Sequence, residues 1–119
     1  MGVKDTLEKI YKDFAEGRPR GVMLTILSIL RLNNRRENAS PEAIAREGRR
    51  IIRETKGKID WGVSEEAYTR EFVEEILKEL AGKGIVEELE PGNYRIRDED
   101  DLVDEIYRKV GLIFSLRCC

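Results

Sequence analysis

Arg46, Arg50 and Arg53 stand at i, i+4 and i+7, a spacing that lines three guanidinium groups along one helical stripe. Arg49 lies beside them, and Lys56 and Lys58 follow at once. A guanidinium meets a phosphate through two parallel hydrogen bonds, so a row of them suits a polyanionic backbone. Arg95 and Arg97 alternate with Tyr94 and Ile96, which predicts a short strand with one apolar and one cationic face. Arg18, Arg20, Arg35 and Arg36 flank an apolar segment and add to the supply of cations. A solvated face that forms ion pairs with the many acids is the competing reading, of equal weight.

Other chemistries lack their residues. None of the 119 residues is His, which removes imidazole general bases, His triads and His metal ligands. The two cysteines, Cys118 and Cys119, are neighbours; a bond between them would close no useful loop, and two thiols make no Cys-rich zinc site. There is no glycine-rich phosphate loop and no nucleophile elbow. Glu74-Glu75 and Asp100-Asp101 sit in surface-type helical patterns and read as solvation. We therefore expect no catalytic residue, metal or cofactor, and no enzyme.

The elements that must position the arginines follow from periodicity. Val3, Leu7, Ile10, Tyr11 and Phe14 predict an amphipathic helix over about 3–16. Residues 21–33 are apolar almost all round, which predicts a buried central helix. Ser40-Pro41-Glu42 is a cap, a first-turn proline and an acid, opening a helix that runs to about 55 and buries Ile44, Gly48, Ile51 and Ile52. Ser64-Glu65-Glu66 predicts the next start, with Tyr68, Phe72, Val73, Ile76, Leu77 and Leu80 on the buried face of a helix over 64–81. Strands at 85–90 and 93–98 flank Pro91-Gly92, a type II turn pair. A final helix is expected over about 99–116.

A chain of this length makes one domain, 1–119. Residues 1–58 carry 14 basic and 8 acidic side chains, and the remainder 8 and 16, so the first half suits an anionic partner. The missing Gln and the mixed charges point to a thermophile. A charged N-terminal stretch, no long apolar run and a core free of cysteine predict a cytoplasmic protein without a membrane span. Val110-Gly111-Leu112-Ile113-Phe114 is too apolar for solvent. A homodimer interface of Val110, Ile113 and Phe114 with Leu7, Tyr11 and Phe14 is expected, with burial inside one chain as the close alternative. Trp61, in a loop, is expected over the core edge, with base stacking or partner anchoring as the lesser reading.

The order of helices at 21–33, 41–55 and 64–81, closed by a hairpin at 85–98, resembles the winged-helix form of the helix-turn-helix, and small archaeal transcription regulators in particular. The resemblance covers about 21–98 and implies a mainly α fold with a small antiparallel hairpin, an α+β class. It implies duplex DNA as partner, the helix from Ser64 as recognition helix with Ser64, Thr69 and Arg70 as base readers, and Pro91-Gly92 as wing tip. The flanking helices, 3–16 and 99–116, would be appendages that pair across a two-fold. Two features depart from that pattern. The loop at 56–63 is longer than a compact turn. The outward residues of the third helix are mostly Glu, which repels phosphate. The alternative is a winged-helix protein-interaction module whose acidic third helix docks a basic partner.

Overall fold

A computed structural model describes residues 3–16, 21–97, 104–106 and 108. It is mainly helical, with one two-stranded antiparallel sheet. The order is α1 (Val3–Ala15), α2 (Val22–Asn34), α3 (Pro41–Glu54), α4 (Arg70–Gly82), β1 (Val86–Glu90) and β2 (Asn93–Ile96). The layout is compatible with a winged helix. Residues 104–106 are helical, as expected of the last helix; the rest of 99–116 lies outside the described residues, apart from Arg108.

The nearly all-apolar α2 is the hub: it packs on α1, α3, α4 and β2. Met23 to Leu30 are buried without interruption, and so is Leu32. Its two internal hydroxyls stay satisfied, Thr25 donating to the Gly21 carbonyl and Ser28 to that of Leu24. Ile10 and Tyr11 of α1 pack against the same core, and Ile106 is inside it. Tyr11 thus joins its own chain's core. The side chains of Leu7 and Phe14, and all of Val110, Ile113 and Phe114, lie outside what is described.

α3 begins as its sequence dictates: the Ser40 hydroxyl accepts the Ala43 N–H at 3.1 Å, with Pro41 in the first turn. α4 does not begin where Ser64 suggests. The Ser64 hydroxyl does accept an N–H, from Ala67, but the turn closes after Tyr68. Tyr68 is wholly buried, and its hydroxyl lies 2.7 Å from Thr25. Since the Thr25 proton is already given to Gly21, the tyrosine donates. Chain turned inward at Tyr68 needs a new cap, and Thr69 supplies it by accepting the Phe72 N–H. The helix therefore starts at Arg70, six residues later than Ser64 implied.

The hairpin turns on Pro91-Gly92, with Gly92 at φ 81° as a type II turn requires. The register pairs Val86 with Ile96, Glu87 with Arg95 and Glu88 with Tyr94, then shifts so that Glu90 faces Asn93. The extra residue is Leu89. The outer edge of β2 is closed by side chains and a loop. Asn33 accepts the Ile96 N–H at 3.2 Å and donates to the Tyr94 carbonyl at 3.3 Å. The Tyr94 N–H goes to the Ala39 carbonyl, and the Ala39 N–H to the Asn93 side chain. Asn33 and Ala39 occupy the place of a third strand.

Candidate nucleic-acid interface

α3 presents its arginines because its other face is committed to the core. Ile44, Ala45, Gly48 and Ile51 are buried, which forces Arg46, Arg50 and Arg53 outward. Together with Arg35, Arg49, Glu37 and Glu47 they line a groove of about 640 Å³ between the C-terminal end of α2 and α3. Five arginines against two glutamates leave the lining cationic.

The groove is built around a buried acid. Glu47 is 5% exposed, and Arg35 grips it with two guanidinium nitrogens, at 2.6 and 3.4 Å. Arg31 adds a contact at 3.5 Å. Burial alone would raise the Glu47 pKa, but the hydrogen bonds and charges of Arg35 and Arg31 outweigh it and hold the carboxyl below its ordinary range. Arg35 is raised in turn, first by Glu47 and then by Glu37. Glu47 was not foreseen, because it sits among arginines. Its spacing carried a signal: it lies three residues after Ile44 and four before Ile51, on the edge of the buried stripe.

The other expected cations take different places. Arg49 donates to the Tyr68 carbonyl at 3.0 Å and ties α3 to the turn before α4. Arg50 pairs with Glu54, and Arg53 with Glu65. Arg46 has no side-chain partner among the described residues; Lys56 and Lys58 are exposed beside the end of α3. Arg95 is not a bare cation on the hairpin, since the register places it opposite Glu87, which it meets at 2.6 Å. Arg97 is half-buried, and its N–H donates to the Ile85 carbonyl.

The three expected readers are also occupied. Ser64 and Thr69 cap their own turns, and Arg70 pairs with Glu74 at 2.8 Å. The exposed face of α4 carries Glu71, Glu75 and Glu79. Trp61 is 3% exposed and donates its indole N–H to Thr55, so it anchors the long α3–α4 loop and offers no stacking face. Among the described residues no cluster of acids or cysteines could hold a metal ion, and no helix is long and apolar enough to cross a membrane.

No protein-family model, curated protein or solved structure matches this chain.

Proposed function

We propose that this chain is a winged-helix domain that binds duplex DNA mainly through its phosphates, on a surface built by α3 and the end of α2. The observation that carries the reading is the groove in which Arg46, Arg50 and Arg53 stand together and exposed. Their spacing spans roughly 10 Å of helix, at about 1.5 Å per residue. The pairs that engage Arg50 and Arg53 are exposed, and such pairs contribute about 0–1 kcal/mol. A phosphate backbone can therefore take over these guanidinium groups at little cost. The lining has no aromatic side chain, and Trp61 is buried, which favours a duplex over a single strand. Base reading by α4 has little support, so the binding is expected to be largely independent of sequence. A cytoplasmic transcription regulator of a thermophilic archaeon, homodimeric through its terminal helices, remains the wider role we assign.

A generic duplex titrated between about 50 and 200 mM salt tests the reading, because each phosphate contact contributes about 0.9 to the slope of log affinity against log salt. Binding should weaken steeply, and Arg50→Glu with Arg53→Glu should abolish most of it. Absence of binding at the lowest salt overturns the reading. The acidic face of α4 favours a second one, a protein-interaction module that leaves DNA alone. Under it, charge reversal at Glu71 and Glu75 changes partner binding and reversal at Arg50 does not.

A further inference from the structure

α2 and α4 end in the same motif, closed by different residues. In α4 the Gly84 N–H bonds the Ala81 carbonyl and the Ile85 N–H that of Leu80, with Gly84 at φ 77°. In α2 the Arg36 N–H bonds Asn33 and the Glu37 N–H bonds Leu32, and the left-handed position is Arg36, at φ 58°. A side chain with a Cβ is disfavoured there, and glycine is the usual occupant. Arg36 is exposed and has no side-chain partner among the described residues, so among them its side chain gains nothing that offsets the strain.

Its position supplies a reason. Arg36 lines a second groove, of about 420 Å³, between the end of α2 and the hairpin, with Asn34, Asn93 and Arg95. Glu37 lines both grooves, so they adjoin. A glycine would close these bonds without the strain, so an arginine held there with its side chain unpartnered among the described residues points to a functional role. Resting on the proposed DNA reading, we infer that Arg36 is a phosphate-binding residue that joins the α3 groove to the hairpin, making one track along a duplex strand. The strained turn holds Arg36 on the lining of the second groove, next to Glu37, which lines both.

The test compares wild type, Arg36→Gly, Arg36→Lys and the Arg50→Glu, Arg53→Glu double variant on one generic duplex, with the slope against salt and Tm measured for each. Arg36→Gly should keep or raise Tm, weaken binding several-fold, and lower the slope by about 1, one phosphate contact. Arg36→Lys keeps the charge and should keep the slope. If wild type binds and the double variant fails, yet Arg36→Gly binds as wild type does, this inference alone falls. If Arg36→Gly loses binding together with a large drop in Tm, Arg36 is structural and the inference also falls. If wild type binds no duplex, the DNA reading falls with it.

Discussion

Gly48 on α3 lies against the ring of Tyr68: a Cβ built on Gly48 would stand 2.0 Å from Cε2 of that ring. The tyrosine cannot retreat, because its hydroxyl is bonded to Thr25 and its carbonyl to Arg49. Burial pushes its pKa up to about 12, while the neighbouring Thr25 and Ser28 hydroxyls and the Arg49 charge act in the lowering direction. This contact sets how closely α3 approaches the turn before α4. Gly48→Ala should therefore destabilise the fold by about 1–3 kcal/mol, the usual range for an overpacked core. Denaturant unfolding measures it, and an unchanged midpoint would contradict the packing described.

Glu47 makes stability depend on pH in a definite direction. Its pKa in the folded protein lies below the ordinary 4.5. A depressed carboxylate stabilises the fold above its unfolded value, and that stabilisation is lost as pH falls through the folded value. Glu47→Gln should cost about 1–3 kcal/mol at neutral pH, the range for hydrogen bonds to charged groups. As pH falls from 4.5 toward and through the lower folded value, the difference between variant and wild type should shrink progressively. Parallel stability curves across that range would show that Glu47 is not the group responsible.

The hairpin edge depends on one amide. Asn33→Ala removes the acceptor for the Ile96 N–H and the donor to the Tyr94 carbonyl. A loss of about 1–3 kcal/mol is expected for groups left unsatisfied. Hydrogen exchange localises it: the Ile96 amide should exchange faster in the variant, while the α2 amides before Asn33 keep their protection relative to global stability. Equal protection at Ile96 would mean that water replaces the side chain freely.

The start of α4 separates two capping residues. Thr69→Ala should cost about 1 kcal/mol, as loss of a helix cap does. Ser64→Ala, which caps only a single turn, should cost less. The reverse order would restore the helix start at Ser64.

Much of the architecture was legible because its signals are local. The nearly all-apolar stretch at 22–32 marked a buried central helix. Ser40-Pro41 fixed the start of α3 through the bonds of its own first turn, and Pro91-Gly92 fixed the turn through its φ preferences. The stripe at 46, 50 and 53 was legible for the same reason, once Ile44 and Ile51 defined the inner face.

The start of α4 was not legible, because two capping residues, Ser64 and Thr69, satisfy the same local rule. Tyr68 reaching Thr25, 43 residues away, decides between them. The roles of Glu47 and Asn33 were hidden in the same way, since each rests on partners from another element.

By itself, then, the sequence determined the helices and strands between residues 22 and 96 and the outward stripe of Arg46, Arg50 and Arg53, since those depend on neighbours within a turn. Only the tertiary structure decided which arginines are engaged and which acid lies beneath the groove. It also placed the strained Arg36, without a side-chain partner among the described residues, on the lining of the second groove. Charge and hydrogen-bond partners are chosen across space, and a linear pattern does not record which distant residues the core brings within 3 Å.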